Sequence, residues 1–419
     1  MIRSKLLTVP FCLTVILLQK TQGATMPLPE LPKIPNRPFS VADYGAVGDG
    51  KTMNTTALQN AIDTVGKKGG GTLTVPAGQF LTGPLVLVSN LTLQLARGAV
   101  LLISDDMANY PTDSKGYQTC ISAKDAHDLE ISGEGTINGQ GAAWWAAFEA
   151  NHNMTHRPYL VKFDQCKRVK ISGITLMNSP SFHLVPNRCA DVTIQGITIT
   201  APANAHNTDG MDPSGSNILI DKCMVDTGDD DIAIKPADPE KNRNFTITNC
   251  DFRRGHGLSI GSGTNGGLEN MLVSHCTFSG TDAGIRIKTT RDRGGLVKNV
   301  TYDHITMTKV KNPILITDYY PKAPKTPGED PAQPITSLTP SFAAITISNV
   351  TSTGSPNAGT IWGLPEKPIS GISFVNVHIS AAKGMKIVHA DDIHFSNSDI
   401  TVESGDKLIL SEARVTGLK

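Results

Sequence analysis

Residues 169–176 read VKISGITL, residues 192–199 VTIQGITI, residues 218–225 ILIDKCMV and residues 245–252 FTITNCDF. Each is apolar-x-apolar, with a third apolar or Cys position five residues after the first. The same pattern starts at Met271, Val300, Ile345, Ile372 and Ile393, so the third column runs Ile174, Ile197, Cys223, Cys250, Cys276, Ile305, Val350 and Val377. Successive starts lie 23, 26, 27, 26, 29, 45, 27 and 21 residues apart. A repeat of about 20–50 residues built from short alternating segments marks a solenoid. Helical arrays are the competing solenoid class, but these segments alternate with period two and are rich in Ile, Val and Thr. Each repeat is therefore read as one coil of parallel strands. Just before the third column stand Gly173, Gly196, Asn249, Asn349 and Asn376, residues suited to a turn and, for Asn, to a ladder of stacked amides.

Four polar clusters ride on this repeat: NTDG at 207–210, GDDD at 228–231, GHG at 255–257 and RIK at 286–288. With Ile232, Leu258 and Ile285 taken as equivalent inward positions, Asp230 and His256 share a column on neighbouring coils. Arg286 and Lys288 alternate outward from Ile285 and Ile287. Coils stack roughly 4.8 Å apart, so the clusters should line a groove on the order of 15 Å long. Each cluster alone is ordinary: NTDG reads as a turn, GHG as a tight corner and RIK as a strand with a solvated outer face. Their coincidence on adjacent coils is not ordinary, because carboxylates gathered in one place raise one another's pKa and must be held against repulsion. Strict alternation back from Ile232 would turn Asp230 inward. Asp229 and Asp230 can share the groove only if the pleat breaks near Gly228; otherwise the pair is Asp230 and Asp231.

Paired carboxyls flanking a glycosidic bond carry out glycoside hydrolysis, one protonating the leaving oxygen and the other activating water or attacking the sugar. Nearby cations imply an anionic sugar. Arg286 can grip a carboxylate with two parallel hydrogen bonds, and Lys288 adds a point charge.

The rest of the chain bounds this reading. Its 419 residues are only 5% aromatic, as expected of a narrow core filled by stacked aliphatics, and the repeat argues for one elongated domain over 24–419. Arg3 and Lys5 precede an apolar run from Leu6 to Leu18, followed by the small residues Thr21 and Gly23. Residues 1–23 are thus read as a secretory signal peptide, the run being short for a membrane span. A secreted chain with no membrane anchor is expected. Without the signal, 35 basic residues face 38 acidic ones, a formal charge of −3. Bulk charge points to no nucleic acid, and a polyanion must be held by a local basic patch. Six cysteines remain after Cys12, an even count that invites disulfides in an exported chain. Cys223, Cys250 and Cys276 nevertheless replace Ile or Val in a core column and are read as small buried hydrophobes. No CxxC or HxxxH spacing suggests zinc, and no metal or cofactor is expected. Sequons occur at Asn54, Asn90, Asn153, Asn244, Asn299 and Asn349, several inside predicted strands.

Residues 39–101 (FSVADYGAVGDG, a helical TALQNAIDTVGKKGGG, then TLTVPAGQFLTGPLVL and NLTLQLARGAVLL) resemble the opening of pectin-degrading β-helix proteins and of phage tailspikes. The helix should cap the open end of the solenoid. NTDGMD at 207–212, TGDDDIAIK at 227–235, GHGLSIG at 255–261 and RIK at 286–288, with INGQGAAWW at 137–145 and NSPSFHLV at 178–185, resemble the signature motifs of polygalacturonases, glycoside hydrolase family 28. The resemblance covers nearly the whole mature chain. It implies a single right-handed parallel β-helix with a short N-terminal capping helix. It also implies hydrolysis of α-1,4 bonds of polygalacturonate with inversion; endo action and a monomer are expected. Carried over by position, Asp229 is the general acid, and Asp209 and Asp230 hold and activate the water. His256 tunes the acid, and Asn207, Arg286, Lys288 and Tyr320 bind the sugar, with Tyr319 the lesser match. The alternatives are an exo-polygalacturonase, a rhamnogalacturonan hydrolase (disfavoured by GHG), a Ca-dependent pectate lyase and a tailspike-like binding module without enzymatic activity.

Overall fold

A strand rich in β-branched residues and apolar along one face needs a parallel neighbour on each side and a partner for that face; a chain that winds back onto itself supplies all three. The computed structural model describes residues 26–236 and 242–418. The predicted signal segment, 1–23, lies outside the described residues. The chain is a right-handed parallel β-helix. The predicted register is the observed one: Val169, Val192, Ile218, Phe245, Met271, Val300, Ile345 and Ile372 pair in succession, all in parallel. The 21-residue step to Ile393 continues as His378 opposite Asp399.

Three ladders make the faces of the helix. One contains that column. The second follows the turn and runs through Thr136–Asn138, Thr175–Met177, Thr198–Thr200 and Met224–Thr227. The third runs through Ile121–Lys124, Val161–Asp164, Leu184–Asn187, the isolated bridge at Met211, then Ile232–Ile234, Leu258–Gly261 and Ala283–Lys288. It carries RIK, and the other three polar clusters immediately precede its segments. Inside, equivalent apolar residues lie directly over one another; Val192, Ile194, Ile220, Phe245 and Ile247 are fully buried, and each such side chain contributes about 1.5–3 kcal/mol. Cys223, Cys250 and Cys276 are buried in the same stack, and all six described cysteines are free thiols.

The turn before the third column explains its residue choice. Gly173, Gly196, Lys222, Asn249, His275, His304, Asn349 and Asn376 all have left-handed backbone there, a conformation that glycine and asparagine tolerate best. The expected amide ladder forms where Asn recurs: Asn376 Nδ2 donates to Asn349 Oδ1 at 2.8 Å and Asn397 Nδ2 to Asn376 Oδ1 at 3.1 Å. A second ladder was not foreseen. Asn217, Asn244, Asn270 and Asn299 donate in turn to Asp191, Asn217, Asn244 and Asn270 at 2.9 to 3.3 Å, each immediately before the first apolar position of its coil. The amides of the sequons at Asn244, Asn299 and Asn349 are therefore engaged within the stack. Asn54 is buried and bonds Val47 N at 2.7 Å.

The helix Thr55–Lys67 caps the N-terminal end as expected, laying Leu58, Ala61, Ile62 and Val65 on the first coil. It also closes an exposed strand edge, since Gln59 Oε1 accepts from Val86 N and its Nε2 donates to Val86 O, both at 2.9 Å; unpaired edges otherwise recruit other chains. A second helix, Ala142–Ala150, was not read from the sequence. It projects between coils and anchors through buried Trp144, against whose ring Tyr110 and Tyr117 pack edge-on at 5.0 and 4.8 Å.

The ladder at Asn244 is testable. Asn244→Ala loses both the amide bonds, about 0.5–1.5 kcal/mol each, and the residue suited to a left-handed backbone, about 1–2 kcal/mol. Asn244→Gly loses only the amides. Thermal melts should rank wild type above Gly above Ala; an Ala variant as stable as Gly would contradict the left-handed strain.

Candidate active site

The four clusters meet because the third ladder keeps its register from one coil to the next. Met211 bridges Ile232, and Ile232 pairs with Leu258 and Leu258 with Ile285. The backbone ties the clusters directly: Gly210 N donates to Asp230 O at 2.9 Å and His256 N to Asp229 O at 2.8 Å. Two glycines permit this approach. A Cβ on Gly210 would sit 2.4 Å from Asp231 O, and one on Gly257, where φ is +80°, would sit 1.8 Å from Ala283 O. GHG is thus the tight corner that its composition suggests, and the corner delivers His256.

The pleat does break at GDDD: strand resumes only at Ile232. Asp229 and Asp230 both reach His256, whose Nδ1 lies 3.0 Å from Asp229 Oδ1 and 3.7 Å from Asp230 Oδ1. Asp231 turns away and is fully buried; its Oδ2 accepts from Gly257 N at 3.1 Å. The geometry thus assembles the pair Asp229 and Asp230, not Asp230 and Asp231.

RIK is not a solvated face. Arg286 Nη1 lies 2.7 Å from Asp230 Oδ1, Lys288 Nζ lies 2.5 Å from Asp230 Oδ2, and both cations are largely buried. Ser259 Oγ adds a hydrogen bond to Asp230 Oδ1 at 3.2 Å. The ring of Tyr320 lies 5.0 Å from Lys288 Nζ and 5.8 Å from the Arg286 guanidinium, within cation–π range. Tyr319 points elsewhere, donating to Asp330 Oδ2 at 2.5 Å. Asn207 takes left-handed backbone, its N–H donates to Asp229 Oδ2 at 3.2 Å, and its side-chain oxygen accepts from Arg157 at 2.9 Å. Asp209 is buried, and Lys235 lies 3.2 Å away while pairing with Asp212 at 2.5 Å.

Sequence reasoning missed four groups. Lys235 and Asp212 lie inside the quoted motifs but were assigned no role. Asp282, 3.5 Å from His256 Nε2, stands three residues before Ile285 as Asp229 stands before Ile232, so the register could have found it. Arg157 lies in an irregular segment and had no signal.

Burial works to raise the Asp229 carboxyl, but the hydrogen bond and charge of His256, the Asp230 amide and Lys288 bring it down to about 2. His256 is raised in return by its hydrogen bond to Asp229 and by the charge of Asp230, against burial. Burial, then the neighbouring Asp212, hold Asp209 well above the carboxylate range; burial lifts Asp212 to about 6 against the pull of Lys235. Burial lowers Lys288 despite Asp230. The groove therefore offers a carboxylate held by a histidine, a second clamped by two cations, and a third in a low-dielectric setting that favours its proton. Oxygens of Asp229 and Asp230 and a nitrogen of His256 also lie within 4.8 Å of one another, a spacing that a cation could use, but Arg286 and Lys288 already neutralise Asp230.

A family model described as glycosyl hydrolases family 28 matches residues 66–406. A probable polygalacturonase of Vitis vinifera is 34% identical over 83% of this chain and 75% of its own length. One from Arabidopsis thaliana is 36% identical over 67% of this chain but 61% of its own, longer sequence. An endo-polygalacturonase of Pectobacterium carotovorum subsp. carotovorum is 33% identical over 64% of this chain and 72% of its own. Among solved structures, a polygalacturonase of Erwinia carotovora superposes with a TM-score of 0.72 at 27% identity, covering 94% of this chain and all of that one. An exopolygalacturonase of Thermotoga maritima superposes at 0.76 with 24% identity, covering 89% and 94%, a likeness of fold.

The charge balance predicts a titration. Replacing His256 by Asn removes the largest influence that lowers the Asp229 pKa and leaves burial opposed by the Asp230 amide and Lys288, so the carboxyl should rise from about 2. Carboxyl-carbon NMR titration would show the shift, and an Asp229 that still titrates near its original value would contradict the assignment.

Proposed function

Because the chain belongs to glycoside hydrolase family 28, we propose that it is a polygalacturonase, secreted after loss of residues 1–23, that hydrolyses α-1,4 bonds within polygalacturonate as a monomer without a metal. The observation that carries this reading is the convergence of Asp209, Asp229 and Asp230 with His256 beside Arg286 and Lys288 on consecutive coils. Carboxyls supply acid and base, and cations select a uronate. The cations already neutralising Asp230 disfavour a Ca-dependent lyase, which needs several oxygens free to bind the ion.

In this mechanism the sugar carboxylate takes Arg286 and Lys288 as its partners, over the ring of Tyr320. Asp229, the more exposed of the pair, protonates the leaving oxygen, while Asp230 and Asp209 position the attacking water on the opposite face. A general acid must hold a proton. The incoming uronate draws the field of Lys288 onto itself, and the filled cleft excludes water, both of which raise Asp229. His256 carries the proton that Asp229 receives. Inversion follows if water attacks; were Asp230 a nucleophile, the anomeric configuration would be retained.

A second reading is favoured by one observation. Burial already holds Asp209 well above the carboxylate range, so Asp209 could be the resting acid. A galacturonide with a good leaving group separates the two, since it needs little protonation: the Asn variant of the true acid keeps most of its activity on that substrate.

Endo action is supported by the likeness in sequence to the Pectobacterium enzyme and by a sheet face that continues beyond the carboxylates in both directions.

Purified mature chain should release saturated oligogalacturonides from polygalacturonate in the presence of EDTA, with viscosity falling ahead of reducing-end release. Product ultraviolet absorbance would instead mark a lyase, and release of monomer or dimer alone an exo enzyme. Asp229→Asn, folded by circular dichroism, should lose about 10²–10⁴-fold in rate; undiminished turnover would remove Asp229 from the chemistry. Proton NMR of the first products should show the inverted anomer, whereas retention would make Asp230 the nucleophile.

A further inference from the structure

Arg157 stands just ahead of the strand Val161–Asp164 and is only 6% exposed, yet no step of the mechanism uses it. Its hydrogen bonds go to neutral oxygens: Nη1 donates to Pro180 O at 2.9 Å, and Nη2 donates to His206 O at 3.0 Å and to Asn207 Oδ1 at 2.9 Å. Burial works against its charge, and Glu149 and Asp229 support that charge from a distance. A buried cation without a carboxylate in contact is costly, which points to a task in the site.

The task lies in one peptide group. The carbonyl of His206 and the N–H of Asn207 belong to the same peptide; Arg157 grips its oxygen, and its N–H donates to Asp229 Oδ2 at 3.2 Å. A peptide whose oxygen accepts from a cation is polarised, and its N–H becomes the stronger donor. Two hydrogen bonds thus link the guanidinium to the carboxylate. Thr208 secures the next turn of the loop, donating to Ala205 O at 2.7 Å and accepting from Gly228 N at 3.1 Å. On its other oxygen Asp229 meets His256 Nδ1 at 3.0 Å and Asp230 N at 2.9 Å, so both oxygens are held. The helix Ala142–Ala150 covers the arrangement: the Phe148 ring lies 4.2 Å from the guanidinium carbon, within cation–π range, and Glu149 lies 3.1 Å from His206 Nε2.

We propose that Arg157 is a positioning residue for the acid: through the peptide between His206 and Asn207 it orients the Asp229 carboxyl toward the leaving oxygen, and Phe148 holds Arg157 in place. The inference rests on Asp229 as the acid of the polygalacturonase reading and adds to it a group two coils away that aims it.

Arg157→Gln removes the charge and one arm of the fork, whereas Arg157→Lys keeps the charge. On polygalacturonate, kcat of Arg157→Gln should fall about tenfold with KM nearly unchanged, and Arg157→Lys should recover part of the loss. On a galacturonide with a good leaving group, which needs little protonation, the loss should be at most about twofold. A merely structural role would slow both substrates alike, so equal losses, or none on polygalacturonate, overturn the proposal. Carboxyl-carbon NMR titration reads the contact without catalysis. Asp229 should titrate at higher pH in Arg157→Gln than in wild type, because the donor that favours its charged form is weakened; an unmoved titration overturns the proposal. A shifted Asp229 in a protein that cleaves no polygalacturonate supports the positioning and counts against the polygalacturonase reading instead. Should Arg157→Gln not fold, Phe148→Leu uncovers the guanidinium and is measured in the same ways: a loss confined to polygalacturonate supports the proposal, and an equal loss or none overturns it.

Discussion

The backbone hydrogen bonds between successive coils are the constraint on which the rest depends. Because every step of the third ladder is parallel and in register, a residue's place along its coil fixes which residues it meets above and below. Gly210 N on Asp230 O and His256 N on Asp229 O are ordinary bonds of this kind. They bring a carboxylate from NTDG, two from GDDD and an imidazole from GHG into one groove. No loop has to close for this to happen. The site is as rigid as the stack that carries it, and its glycines are required because coils come so close at these corners.

Such closeness of like charges must be compensated. Asp230 is held by Arg286, Lys288 and Ser259, Asp229 by His256 and the Asn207 amide, and Asp209 and Asp212 share Lys235. The compensation is unequal, and the inequality gives the groups different chemical dispositions. His256 sits between Asp229 and Asp282, within hydrogen-bond reach of the carboxylate proposed as the acid. Removing any one cation would leave a buried carboxylate short of a partner, a far larger disturbance than loss of a surface ion pair.

Much of this was legible in the sequence. The apolar columns from Val169 to Ile372 stated the register, because a core of stacked equivalents tolerates only apolar residues of similar shape at each position, and the clusters fell into one ladder once the register was counted. Other parts were legible only in hindsight. Asn217, Asn244, Asn270 and Asn299 form a ladder whose period matches the coils, but it sits just outside the alternating triplet that drew attention. The choice within GDDD turned on a local break of the pleat, which alternation alone cannot predict; the structure makes that break and sends Asp231 inward. Asp282 obeys the register, standing before Ile285 as Asp229 stands before Ile232. Arg157 and the helix Ala142–Ala150 belong to excursions between coils, where no repeat constrains the chain and no periodicity reports on it.

The proposed function requires Arg286 and Lys288 to hold a uronate carboxylate so that its glycosidic bond falls between Asp229 and the carboxylates of Asp209 and Asp230. A crystal structure of the Asp229→Asn variant with a bound galacturonate trimer tests it most directly. The account predicts a sugar carboxylate within hydrogen-bond distance of Arg286 and Lys288 and a glycosidic oxygen facing residue 229. A trimer bound on another face of the coil stack, or in this groove with its carboxylates turned away from both cations, would contradict it.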